Sequence, residues 1–192
     1  IYSQNKQQLG SLIEVAAEKI IQFANAATTN DNLLKGLVVH DQTLLQEKID
    51  ELSWTLQVDA GIEDISVFSA NGGLMASVGN VGERSLLDLI LSSESPQWTV
   101  SCDSKCYVQG GTPVIFEGRV IGALLLSEPL SNVMLRFQHI SNIDTGLLTN
   151  QKSASEYDEF IPSWDKNLIA LTNPQNSKAI ISSASALYSL KE

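Results

Sequence analysis

The sequence is short of the side chains on which most enzymes rely. It carries two histidines and two cysteines in 192 residues. Nucleophilic hydrolysis needs a Ser or Cys beside a His that a carboxylate orients. Neither His40 nor His139 stands in a recognisable motif, and both read as helix-end or surface residues. A closed zinc site takes about four N or S ligands, and both histidines lie far in sequence from Cys102 and Cys106. No metal and no cofactor are therefore expected. Phosphate-loop, dinucleotide, zinc-protease and calcium-loop patterns are missing. The isolated pairs Gly72-Gly73 and Gly110-Gly111 read as turns. The domain itself is expected to be non-catalytic.

Basic residues are scarce as well. Twelve Lys and Arg stand against 22 Asp and Glu, a net charge of −10. Binding a nucleic acid requires clustered cations to neutralise phosphates, so that class is excluded, and an anionic membrane surface is disfavoured for the same reason. The acidic balance favours cationic or neutral ligands, although net charge says little about one pocket. No segment reaches the roughly 18 uninterrupted apolar residues of a membrane span. The chain opens Ile1-Tyr2-Ser3, without a start Met or a basic leader, and is expected to be cut from a longer protein.

What is present is an ordinary globular composition, 43% hydrophobic, enough to bury a core. The cysteines lie in "CDSKC". That spacing suits a disulfide across a tight turn, Cys102 to Cys106, and hence an oxidising compartment. Two free thiols, a redox switch or a metal site are the alternatives. A bridge closing so short a loop removes little chain entropy, so its role would be to pin the turn.

Residues 5–27 place Leu9, Ile13, Ala16, Ile20, Phe23 and Ala27 in steps of four and three, an amphipathic helix with a narrow seam. Leu9, Ile13, Ala16 and Ile20 are the candidate dimer seam; packing of the helix on its own domain is the alternative, and the two are compatible. "TTNDN" breaks that helix, and a short helix at 33–39 follows. A third helix carries Leu45, Ile49, Leu52 and Leu56, with Thr43 to Gln46 fitting a capping box and Gly61 the exit. At residue 62 the period changes. "IEDISVFSANGGLMASVGN" reads as a hairpin around Asn71-Gly72-Gly73, because primed turns need positive φ. Residues 83–95 read as a helix with Leu86, Leu87 and Ile90 inward. Three strands follow, split at the cysteine turn and at Glu117-Gly118. Gly110-Gly111 and Pro113 within the middle strand suggest a bulge or a sheet edge. Pro129 stops the last strand, and 130–140 is an amphipathic helix.

Two strands, a helical crossover and three more strands is the order of a PAS-like five-stranded antiparallel sheet. The fold class is thus α+β: a long N-terminal helix, that sheet, and a partial second module or C-terminal extension. "GGTPVIFEGRVIGALLLSEPLSNVMLRF" resembles the end of a Cache domain, the extracytoplasmic PAS-like sensor of bacterial receptors, and "ISVFSANGGLMASVG" resembles that family's first hairpin. The first helix is similar to the family's membrane-emergent helix. The resemblance covers about residues 1–140. It implies a scaffold role for the hairpin: Gly118 turns the chain, and Gly122 lets a helix or backbone come close. It also implies a transmembrane receptor whose flanking membrane helices lie outside this chain. The expected setting is periplasmic, and the receptor a homodimer. The expected output is a histidine kinase, a cyclic-di-GMP enzyme or a chemotaxis module. The family's amino-acid motif is not matched, since Trp98, Tyr107 and Arg119 are differently arranged.

In such a sheet, ligand contacts come from the crossover helix, the strand after it and the facing central strand. Those positions hold Arg84, Trp98, Val100, Tyr107 and Gln109, an aromatic wall with a few polar groups, as small-molecule sites often are. Trp98 and Tyr107 also suit core positions whose polar ends find partners. The ligand is an unknown small molecule; the alternative is a ligand-free interaction or dimerisation domain. Residues 143–149 and 167–173 read as strands joined by a polar connection, and 179–192 as helical near its end. The expected organisation is 1–61 helical, 62–140 the sheet module, and 141–192 a partial second module or extension.

Overall fold

The computed structural model describes residues 2–102, 105–150 and 159–175. The expected helix within 179–192 lies outside the described residues, as do Asp103 and Ser104 of the cysteine turn. The described residues divide into two compact units, one of 13–101 and 107–129, the other of 2–12, 102, 105–106, 130–150 and 159–175.

Three helices open the chain. The first, α1 (Tyr2–Thr28), runs for 27 residues, and its inward stripe holds Ala16, Ala17, Ile20, Ala24 and Ala27. Four of those five are alanines, so the helix can approach its neighbours closely. Asn30 caps α2 (Asp31–Val39), its side chain accepting from the backbone N–H of Asn32 and Leu33. His40 in the left-handed conformation ends α2. The start of α3 (Gln42–Ala60) corrects the expected capping box. Asp41, not Thr43, is the cap, and its carboxylate accepts from Leu44 N at 3.0 Å. The left-handed turn at His40 brings the chain into helix two residues early, and Asp is as good a cap as Thr. Gly61 closes α3 at φ 68° as expected.

The sheet follows: β1 (Asp64–Ser69), β2 (Leu74–Val78), α4 (Arg84–Ser93), β3 (Gln97–Cys102), β4 (Cys106–Phe116) and β5 (Arg119–Pro129). Its strand order is β2-β1-β5-β4-β3, the PAS-like order expected from sequence. The middle strand carries a register shift between Val114 and Ile115, so a bulge is present, but β4 lies inside the sheet between β5 and β3 and is not an edge. Pro113 is tolerated there because β3, six residues long, falls short of the eleven-residue β4.

Strand alternation separates the two faces of the sheet. Ile65, Val67, Val108, Leu124 and Leu126 lie on one face, each at most 1% exposed. Each such side chain contributes about 1.5–3 kcal/mol by leaving water. Gly110 lies on this face under Ile20 of α1. Glu128, also on it, pairs with Lys19 of α1 at 2.9 Å, and Lys19 donates as well to the last carbonyl of α3, Ala60 O, at 2.7 Å. The other face packs Phe68, Ala123 and Leu125 against Leu86, Leu87 and Ile90 of α4. At Gly122 a Cβ would run into the Phe68 carbonyl of the neighbouring strand, the close approach that the sequence suggested.

The second unit contains α5 (Leu130–Ser141) and a three-stranded sheet of β6 (Gly146–Thr149), β7 (Glu159–Ile161) and β8 (Lys166–Leu171), ordered β6-β8-β7. Both strands read from the sequence are present, each shorter than expected. The third, β7, falls in what reads as a polar connection. A disulfide joins Cys102 to Cys106, one of the two leading alternatives for this pair.

Candidate functional site

The face of the sheet that meets α4 carries an unusual row of buried polar groups. Asp64 and Ser66 come from β1, Ser127 from β5, and Tyr107 and Gln109 from β4. All five are 8% exposed or less. Register brings them together: Ser127 lies directly opposite Asp64 on one side and Gln109 on the other. Directly opposed side chains stand about 5 Å apart at Cβ. Three neighbouring strands therefore place a carboxylate, a hydroxyl and an amide in one line.

The loop between β2 and α4 covers this row and hydrogen-bonds to it. Asn80 N donates to Asp64 Oδ1 at 2.8 Å. Asn80 Nδ2 donates to Asp64 Oδ1 at 3.4 Å and to Tyr107 Oη at 3.2 Å. Gly82 N donates to Ser66 Oγ at 3.2 Å, and Glu83 N to Gln109 Oε1 at 3.0 Å. Gly79, at φ 75°, lies against the Asp64 carboxylate, where a Cβ would collide with Oδ1. The loop can lie this flat only because that position has no side chain.

Burial raises the Tyr107 phenol above its ordinary pKa of 10.0, and the carboxylates of Asp64 and then Glu63 raise it further, while the hydrogen bond from Asn80 works the other way. Arg84 is turned elsewhere: Nη1 donates to Gly72 O at 2.7 Å and Nε pairs with Asp88 at 3.0 Å.

Of the five ligand residues read from sequence, Tyr107 and Gln109 stand together in this row. Arg84 holds the β1–β2 turn instead. Trp98 and Val100 share one side of β3 and are 42% and 38% exposed. Of the four seam residues, Ala16 and Ile20 are buried in the chain's own core, while Leu9 and Ile13 are half-buried. Sequence reasoning missed Asp64, Ser66, Ser127 and the loop at Asn80. The available signal was polar residues two apart in an otherwise apolar strand, "DISVFS".

Two open depressions lie elsewhere in this unit. One, of about 590 Å³, runs past the β1–β2 and β4–β5 turns and is lined by Leu37, His40, Asn71, Phe116, Arg119 and Ile121 among others. The other, of about 290 Å³, lies among the first three helices beside Phe23, Leu33 and Leu56. Among the described residues, no group of three or more His, Cys, Asp or Glu could hold a metal ion, and no helix is long and apolar enough to cross a membrane.

Comparison with known proteins gives the fold its relatives. The sensor domain of DcuS from E. coli superposes with a TM-score of 0.55 at 15% identity, covering 68% of this chain and 98% of that one. The sensor domain of the V. cholerae histidine kinase DctB gives 0.61 at 13% identity, over 91% of this chain and 66% of that one. The periplasmic domain of V. cholerae LuxQ gives 0.61 at 14% identity, over 92% and 81%. Identities this low establish a shared fold alone. No curated protein matches the chain. The family model described as the double sensory domain of two-component sensor kinases matches residues 3–186. The chain therefore belongs to that double Cache sensor family.

Proposed function

We propose that this chain is the extracytoplasmic, ligand-binding part of a membrane-bound bacterial receptor. A small molecule would bind on the α4 side of the five-stranded sheet, and α1 and α5 would carry the signal toward a cytoplasmic output. The observation that carries the reading is the row Asp64–Ser127–Gln109, closed over by loop contacts that a ligand can replace. Buried polar groups are costly unless paired, and a strand built only to fill a core would use apolar residues there. The family's description favours a histidine kinase as the output; a cyclic-di-GMP enzyme is the other candidate. A periplasmic setting accords with the family and with the disulfide, which persists only in oxidising compartments.

The word "double" in the family description supports reading residues 141–192 as part of a second module, after helices at 1–61 and a sheet module at 62–140. Dimerisation through α1 in the whole receptor belongs to the same proposal. It would use Leu9 and Ile13, four residues apart on one side of α1.

One observation favours a second reading, a ligand-free interaction domain. Four of the five side chains in the row, Asp64, Ser66, Tyr107 and Gln109, already bond to the chain's own loop. Native mass spectrometry of the purified chain, then thermal denaturation against metabolite pools, separates the two. A co-purifying mass or a dose-dependent rise in Tm supports the sensor of small molecules, since binding to the native state stabilises it by mass action. Neither effect moves the assignment to the interaction domain.

A further inference from the structure

The larger of the two depressions, about 590 Å³, takes Arg119, Val120 and Ile121 from the start of β5. The polar row holds Ser127 of the same strand, roughly 20 Å further along at the rise of an extended chain. The volume falls within the range of small-molecule sites, about 300–1,000 Å³. Two tight turns frame the depression. Glu117 at φ 48° and Gly118 at φ 74° make a primed hairpin turn, which sets Phe116 directly opposite Arg119. The β1–β2 turn is tied down beside it. Ala70 N donates to Ile121 O at 3.1 Å, Gly73 N donates to Asn71 Oδ1 at 3.2 Å, and Arg84 holds Gly72 O. The end of α2 contributes Leu37, Val38 and His40. The walls are therefore formed by the fold itself.

Two kinds of chemistry meet there. Val38 and Phe116 are apolar side chains left 45% and 37% exposed. Beside them stand donors with open valences. Lys19, Lys48 and Arg84 each have an acidic partner. Arg119 has neither an ion pair nor a side-chain hydrogen bond among the described residues, although Glu117 is two positions away. Among the same residues the His40 ring and the Asn71 side-chain nitrogen also make no hydrogen bond.

We propose that this cleft is a second binding site, one for a small monocarboxylate with an apolar body, whose carboxylate takes the Arg119 guanidinium and whose body lies along Phe116 and Val38.

A guanidinium presents paired N–H donors that match the two oxygens of a carboxylate. His40 and Asn71 add further donors to the same depression. Apolar surface beside a cation selects a ligand that carries both an apolar body and an anion. A neutral alcohol leaves the guanidinium unanswered, and an amine meets it as a like charge. Glu117 works against the anion, but it is exposed at the hairpin turn, where water and salt screen it. The site shares no residue with the polar row, so it stands whether or not that row takes a ligand.

The test uses the purified chain at low salt. Phenylacetate and hexanoate are titrated against their matching alcohols, their matching amines and plain acetate, by calorimetry and thermal denaturation. The expected result is saturable binding of phenylacetate or hexanoate with a dose-dependent rise in Tm, and none with the other probes. Arg119→Gln should weaken that carboxylate by about tenfold or more, the scale of a lost charge-assisted pair. Glu117→Gln should tighten it by about twofold, because it removes an exposed charge of the ligand's own sign. Both side chains are exposed, so both variants keep the fold. Binding of the amines or alcohols with the carboxylates silent overturns the assignment. So does carboxylate binding that Arg119→Gln leaves unchanged, and so does silence of the whole series. None of these outcomes touches the sensor reading of the polar row, which the metabolite pools test separately.

Discussion

Lys19 on α1 and Glu128 on β5 form an ion pair at 2.9 Å in which the glutamate side chain is fully enclosed and the lysine side chain is 29% exposed. The same ammonium bonds to the Ala60 carbonyl at the end of α3. One side chain thus ties two helices to a central strand. Removing one partner of a buried pair is far more costly than replacing both. Lys19→Met should therefore destabilise the chain by about 3 kcal/mol, and Lys19→Met with Glu128→Leu should recover most of that loss. Urea denaturation of the four members of the cycle measures it. Additive effects would mean that the two groups are not coupled.

Two glycines should respond to the same substitution with opposite signs. At Gly122 a Cβ meets the Phe68 carbonyl, backbone that cannot step aside; Gly122→Ala should cost roughly 2 kcal/mol or more, as overpacking does. At Gly10, inside α1, nothing lies within 4 Å of the added Cβ. Gly10→Ala should stabilise by about 0.5–1 kcal/mol through helix propensity alone. Thermal denaturation of both variants checks the pair.

The Cys102–Cys106 bridge should leave both thiols unlabelled by alkylating agents until a reductant is added. A loop this short closes with little entropy, so replacing both cysteines by Ser should cost no more than about 2 kcal/mol and leave the fold intact. Labelling without reductant would refute the bridge; unfolding of the double variant would refute its modest weight.

Alkaline titration reports on the polar row. Because the folded state holds the Tyr107 proton more tightly than the ordinary value of 10.0, this residue's contribution to stability is complete below about pH 10 and falls as pH climbs through the raised pKa. Absorbance near 295 nm should show one tyrosine ionising late, a component that Tyr107→Phe abolishes. Asp64→Asn should bring that step to lower pH without restoring the ordinary value, since burial is the larger cause. An unmoved step would place Asp64 outside the phenol's field.

A charge in α1 should distinguish core from seam. Ile20 is fully buried, so Ile20→Asp should prevent folding. Leu9→Glu with Ile13→Glu should leave the isolated fold standing and lower self-association of the receptor in sedimentation. Unchanged association would place the dimer contact elsewhere.

The order of elements was legible because each boundary carries its own chemical sign. Asn71-Gly72-Gly73 marks the first hairpin, Glu117-Gly118 the last, and Pro129 the end of β5. The cap of α3 was misread by two residues because Thr43-x-x-Gln46 satisfies the pattern of a capping box, whereas Asp41 has the geometry, and only the left-handed His40 before it decides between them. The strand β7 was missed because three residues in a polar stretch give no periodicity to read. The site was half legible. Tyr107 and Gln109 follow from topology, but Asp64, Ser66 and Ser127 take their meaning from register, which brings residues over sixty positions apart side by side. Trp98 drew attention as an aromatic, yet it is 42% exposed and stands apart from the polar row.

Ser127 and Glu128 are consecutive, and alternation sends the first toward the polar row and the second toward Lys19. Their Cα atoms are about 3.8 Å apart across a planar peptide. One peptide unit of backbone thus separates the polar row from the contact with the first helix. Neither residue can slide along β5 without carrying the other, so whatever grips one side of the strand pulls on a rod anchored at the other.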